Sequence, residues 1–234
     1  MGGERVTNLE SLLPPKRGRN GEATRARILD AAEGEFAVKG FDGARLAAIA
    51  RAADVPQALI HHHFADKDGL YRAVLERALT SVADMGWRIL GEMAPPKRPT
   101  RAARMEKAQL QALIEAMIGM LVGFYATHAN VLRILRHEAT RGGSLADELV
   151  RAHVKPQLDD VVARFGQMRK RGEVRADVDA RHLCISAVAM ACFPYMEGAF
   201  LEAVWTVDPR SPAFVAERTR EIVQTVMARI APAP

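Results

Sequence analysis

Three consecutive histidines, His61-His62-His63, are the densest run of imidazoles in the 234-residue chain and invite a metal-binding or general-base reading. Neighbouring side chains on a helix point about 100° apart, so three in a row cannot converge on one ion. His137-Glu138 has the opening of a zinc-protease helix, but that chemistry needs a second imidazole four residues on, where Arg141 stands. His128, His153 and His182 are isolated and read as packed or surface side chains. With no phosphate-cradling glycine loop and no Gly-x-Ser-x-Gly elbow, catalysis is a poor reading, and no metal or cofactor is expected. The other concentration of chemistry is basic: Lys16, Arg17, Arg19, Arg25 and Arg27, with only Glu22 among them. Such an arm can neutralise phosphates or enter a minor groove. It can equally be a solvated tail, the reading preferred for Met1 to Pro15; Arg17 and Arg19 stand as candidate DNA contacts.

Two short helical patterns between Phe41 and Leu70 must position the histidines. Leu46, Ile49, Ala50 and Ala53 recur at helical spacing ahead of Asp54-Val55-Pro56, and Ile60 and Phe64 lie four apart after it. A helix shorter than ~12–15 residues is marginal alone, so both pieces need a third to pack on. Glu22 to Lys39 supplies it, with Ile28, Leu29, Ala32 and Phe36 on one face and Gly40 placed to end the helix in a left-handed conformation. Pro56 suits the first position of the third helix, where a missing N–H costs nothing. The unit reads as a helix-turn-helix, which makes double-stranded DNA the first partner to consider.

Gly40-Phe41, Leu46, Ile49-Ala50, Ala53, Val55, Ile60, His63-Phe64, Lys67 and Leu70 together resemble the DNA-binding domain of the TetR family of transcriptional regulators, over roughly the first third of the chain. The chain departs from the family pattern at Ala44 and Arg45 (usually Thr or Ser), Asp54 (Gly), Pro56 (Ser) and His61 (Tyr). Asp tolerates positive φ better than most residues, so Asp54 is the mildest change. Ala44 and Pro56 lack the hydroxyls that would meet phosphates, and Arg45 offers a longer cationic reach in their place. The resemblance implies that Gln57, Ala58, Leu59, His61, His62 and His63 face the duplex, with Arg45 and Lys67 beside them, while Ile60 and Phe64 face the core.

Charge does not locate the DNA: residues 1–70 balance basic against acidic side chains, so the whole +5 excess falls later. At 49% hydrophobic and 26% charged the composition is that of an ordinary globular chain. There is no N-terminal apolar signal segment, and Ala116 to Ala126 falls short of the ~20 residues that span a bilayer, so a soluble, cytoplasmic protein with no membrane partner is expected. Cys184 and Cys192, eight residues apart on one helix, would be separated by about 12 Å and cannot pair. Every long segment after the helix-turn-helix reads as helix: Lys67 to about Met93 behind an Asp66 cap, Arg101 to Thr127, Val131 to Glu138, Ser144 or Leu145 to about Lys170, Asp179 through Leu201, and Pro212 to Ile230. The expected fold is all-α, divided into a basic, flexible arm (1–20), a helix-turn-helix DNA-binding domain (21–70) and a helical ligand-binding and dimerisation domain (71–234).

The family resemblance further implies dimerisation through the last two helices and a ligand cavity among the preceding ones. The stripe Leu183, Ala187 and Ala191, with Val215, Ile222 and Val226, is the candidate dimer interface. Met117, Met120, Phe124, Tyr125, Met190, Phe193 and Tyr195 are candidates to line the cavity, since flexible methionines and flat aromatics suit varied apolar shapes. Arg133, Arg136 and His137 would pair with an anionic or acceptor group on the ligand. Core packing, or a solvated face for the last three, explains any one of them equally well. The expectation is a homodimeric repressor that binds a palindromic operator and is relieved by a small, mainly apolar effector. A ligand sensor or scaffold with weak or vestigial DNA binding is the alternative.

Overall fold

In the computed structural model, which describes residues 17–92 and 106–231, all regular structure among the described residues is helical. Lys16, the arm before it and the Pro95, Pro96 and Pro99 stop lie outside those residues. The helix α1 (Arg17–Gly43) bends at Gly40, where φ is 65° and ψ −179°. The positive φ matches the role expected of this glycine, although its ψ is extended and not left-handed helical. A side chain would be strained here. The bend folds Phe41 back, so that its ring stacks parallel to Phe36 at 6.3 Å and meets the edge of Tyr71 at 5.0 Å. Two short helices, α2 (Leu46–Ala52) and α3 (Gln57–Phe64), pack on α1 through Ile28, Phe36, Ile49 and Ile60, all fully buried. Asp54 takes up the turn between them at φ 52°.

The next helix, α4 (Lys67–Glu92), is capped as its sequence predicts: the Gly69 N–H donates to Asp66 Oδ1 at 2.8 Å. It links two hydrophobic clusters, contributing Leu70, Val74, Leu75 and Leu79 to the first and Leu90 to the second. Then follow α5 (Lys107–Thr127), α6 (Ala129–Thr140), α7 (Ser144–Leu149), α8 (Lys155–Lys170), α9 (Ala180–Met196), α10 (Gly198–Trp205) and α11 (Pro212–Ile230). The α5 helix starts on a reciprocal cap between Glu106 and Gln109. At 21 residues it is long and apolar enough to cross a bilayer, a length the run Ala116 to Ala126 understates. Its Leu110, Ile114, Ile118 and Val122 are instead packed in the second cluster.

Two helices expected to be continuous are broken. Between α7 and α8 the chain makes one π-turn over Val150–Val154, a register change that falls just before Pro156, which has no N–H to continue the ladder. The helix opened by Asp179, whose carboxylate accepts the Arg181 and His182 N–H groups, stops at Met196 and turns through 73° into α10. Pro194 and Gly198 flank that break, one deleting a ladder donor and the other weakening helix propagation.

Pro194 also leaves the Met190 carbonyl, four residues earlier, without its helical partner. Arg218 of α11 replaces it, donating from Nε at 3.2 Å and Nη2 at 2.8 Å to that oxygen. Arg218→Met keeps the aliphatic stem and removes both donors, which should cost about 1–3 kcal/mol of stability in urea unfolding. In a Pro194→Ala background the restored N–H should shrink that cost. An equal loss in both backgrounds would show that Arg218 acts otherwise.

Candidate nucleic-acid interface and ligand cavity

The α3 helix divides cleanly: Ile60 and Phe64 are buried in the three-helix core, while Gln57, Ala58, His61 and His62 are exposed and Leu59 and His63 half-buried. Carbonyl oxygens only accept, so the 2.9 Å contact between His61 Nδ1 and the Ala65 carbonyl puts the proton on Nδ1 and leaves Nε2 outward. The His62 and His63 rings meet edge-on at 5.3 Å and diverge, consistent with separate polar contacts and not one ligand set. Arg45, exposed at the start of α2, donates its backbone N–H to Glu35 Oε1 at 3.4 Å. Ala44 is only 3% exposed, which makes it a core residue whatever hydroxyl other chains carry there. Lys67 is half-buried, its ammonium 4.8 Å from the Phe41 ring centre and donating to the Asp42 carbonyl, so it braces α1 against α4. Arg17 and Arg19 lie in the first turn of α1.

Behind this face, α6 meets α1 and α4. The His137 ring packs against Gly40, where a Cβ would stand 3.5 Å from Nδ1. Arg141 pairs with Asp42 at 3.2 Å and lies 4.4 Å over the Phe41 ring. Glu138, 4% exposed, and the Tyr71 hydroxyl are buried together; among the described residues neither Glu138 Oε2, which lies 3.7 Å from Arg141 Nη1, nor the phenol oxygen has a hydrogen-bond partner. Burial first, then the Glu138 carboxylate, pushes the Tyr71 phenol above the usual tyrosine range. Sequence reasoning missed this joint because its members come from three distant segments and carry no common periodicity.

The second cluster borders a partly open cavity of about 90 Å³ between α4, α5, α8, α9 and α11. Met117 and Met120 line it, as do Leu183, Ala187 and Val226, which the sequence reading placed in a dimer interface. The other ligand candidates lie elsewhere. Phe124 is core, stacked on His128 at 4.5 Å, and Tyr125 packs beside it, its phenol pushed up to about 12 by burial first and then by Cys192. Tyr195 is buried, its hydroxyl without a hydrogen-bond partner among the described residues, Met190 lines a groove between α9 and α11, and Phe193 is 47% exposed. Arg133 is exposed, and Arg136 is exposed and pairs with Glu197 at 2.8 Å; His137 belongs to the α1 joint. None of these three lines the cavity, so the anion-pairing expectation is corrected: their sequence neighbours on α6 face inward, but the arginines point to water.

The stripe expected at the dimer interface lies largely inside the protomer. Ala191 and Ile222 have no exposed surface, and Val226 and Ala187 are buried with them where α11 crosses α5 and α9. Val215 packs against the same cluster. Most of the stripe thus packs within the protomer's own core, Leu183 and Val215 only in part. Cys184 and Cys192 are both free thiols on α9.

A short helix with a buried apolar edge and a polar outer edge, set across a tight turn from a second helix and braced on a third, defines a helix-turn-helix DNA-binding unit. Residues 28–74 match the model for bacterial regulatory proteins of the tetR family, and residues 111–226 match a tetracyclin repressor-like C-terminal domain. The chain is 30% identical over 173 residues to the HTH-type transcriptional repressor SCO4008 of Streptomyces coelicolor, covering 74% of this chain and 79% of that one. It is 27% identical over 165 residues to the HTH-type transcriptional regulator BetI of Paraburkholderia phymatum, covering 67% and 84%. The ketosteroid transcriptional regulator KstR2 of Mycobacterium tuberculosis superposes with a TM-score of 0.60 over 89% of this chain and 95% of that one, a likeness of fold at 17% identity. The chain belongs to the TetR family of transcriptional regulators.

Proposed function

We propose that this regulator is a repressor that binds a palindromic operator as a homodimer and releases it when a small, mainly apolar effector occupies the α4–α11 cavity. The observation that carries the reading is the two-sided α3, whose Gln57, His61 and His62 stand clear of a core that fixes their orientation. The repressor named among its relatives supports the sign. One such unit reads half a palindrome, so two must be held at fixed spacing, with half-sites about one helical turn apart or somewhat more. Six of the nine large apolar side chains exposed among the described residues lie on α9 and α10: Ile185, Phe193, Met196, Phe200, Val204 and Trp205. That surface is the proposed dimer interface in place of the buried stripe.

A gel shift with the intergenic region upstream of the gene tests DNA binding directly; failure to shift any duplex would leave the ligand-sensor reading. Roles on the face separate by substitution. Gln57→Ala should cost ~1–3 kcal/mol at the base it reads and relax preference there. Arg45→Ala should weaken all sequences alike and flatten the salt dependence. Identical behaviour of both variants on operator and random DNA would refute these roles.

A further inference from the structure

Among the described residues the cavity wall contains no charged side chain, and its one polar group besides the Cys184 thiol is the Gln157 amide. Burial raises the pKa of that thiol, which keeps it neutral. Gln157 is 8% exposed, and its Nε2 donates to the Ala83 carbonyl of α4 at 2.7 Å. Among the described residues nothing donates to its Oε1, which leaves an amide oxygen on the cavity wall with unused acceptor capacity. The amide reaches α4 only because residue 86 is glycine: a Cβ there would lie 2.1 Å from Nε2 and 2.7 Å from Oε1. Gln157 therefore plugs a notch in the helix that joins the cavity to the DNA-binding unit.

From this geometry we infer that Gln157 is the specificity-determining residue of the cavity, and that it selects an uncharged, apolar ligand bearing a hydroxyl that donates to Oε1. The inference rests on reading the cavity as the effector site. A carboxylate has no cation to meet in the wall, and entering it would strip its hydration without compensation. A hydrocarbon would leave the amide oxygen unpaired, whereas a hydroxyl satisfies it. Size adds a second constraint. The cavity is about 90 Å³, smaller than the ~150 Å³ that receives benzene elsewhere, so a ring is fully buried only when part of the wall moves. Met117 and Met120 are unbranched and yield readily. Drawn toward a ligand hydroxyl, the amide leaves the Ala83 carbonyl, and occupancy of the cavity is registered on α4 itself.

The test titrates the full chain with p-cresol, toluene and 4-methylbenzoate by calorimetry, three probes of similar shape that differ in the one group. The unaltered protein should bind p-cresol at least tenfold more tightly than toluene, and 4-methylbenzoate more weakly than either. Gln157→Met, of similar volume, should abolish the p-cresol preference while its thermal unfolding stays cooperative. Equal affinity for p-cresol and toluene, no binding of p-cresol, tighter binding of the benzoate, or a preference that survives in Gln157→Met would each overturn the assignment. The comparison of probes on the unaltered protein decides the matter even where the variant folds poorly. Operator affinity with and without p-cresol is read separately: Gln157-dependent binding that leaves operator affinity unchanged would overturn ligand relief, while the assignment of Gln157 would stand.

Discussion

Ile222→Lys is expected to unfold the C-terminal half of the protein, not to split an intact dimer. Ile222 has no exposed surface and sits where α11 crosses α5, so a lysine there loses apolar contacts and places an ammonium in a cluster that, among the described residues, holds no acid to pair it. Breaking buried charge balance in this way costs roughly 3–5 kcal/mol, a large share of the ~5–15 kcal/mol that holds an ordinary domain together. Circular dichroism during urea unfolding should show a midpoint shifted far down or a transition already begun in buffer. A variant that unfolds cooperatively at the native midpoint would mean that the α11 face looks outward after all.

That expectation reverses the one drawn from the sequence, and the reason is physical. Apolar spacing along residues 212–230 reveals a helix with one inward stripe, and the Ser211 cap and Pro212 start fix where it begins. Spacing says nothing about which neighbour receives the stripe, and a core seam within one protomer has the same period as a seam between two. The same limit applies to α6, where Arg133 and Arg136 are close in sequence to buried Leu132 and Ile134 yet project to solvent. Which residues of α3 are buried and which exposed was legible because it depends on local features: a tight turn, two apolar residues four apart and a stop at Gly40, all within one short stretch. Gln157 was not legible, since a single glutamine on an amphipathic helix resembles any solvated side chain until α4 is seen to open a notch at Gly86. The break between α9 and α10 was missed for a similar reason. The apolar run continues through Leu201, and only the proline and glycine inside it hint that its later part turns away.

The surface left after that correction yields the second large effect. Phe193→Asp combined with Trp205→Asp should give a folded monomer that loses at least about a hundredfold in affinity for a full palindrome. Both side chains are well exposed, Phe193 at 47% and Trp205 at 63%, so the protomer's core survives their replacement, in contrast to Ile222→Lys. A standard interface covers roughly 800 Å² per partner, and aromatic side chains at its centre carry a disproportionate share of the binding energy. Two facing carboxylates per protomer would meet their own copies across a two-fold axis, adding repulsion to the lost contact. Once the dimer is gone, each reading head binds its half-site independently, and the gain of roughly 10²–10⁴ that linkage confers on a two-site ligand disappears. Affinity for an isolated half-site should be nearly unchanged, because α3 and its core lie far along the chain from the substituted residues. Sedimentation together with fluorescence anisotropy on full and half operators separates the outcomes. A double variant that remains dimeric removes α9 and α10 from the interface, and a monomer that still binds the palindrome at full strength refutes the claim that dimerisation supplies the affinity.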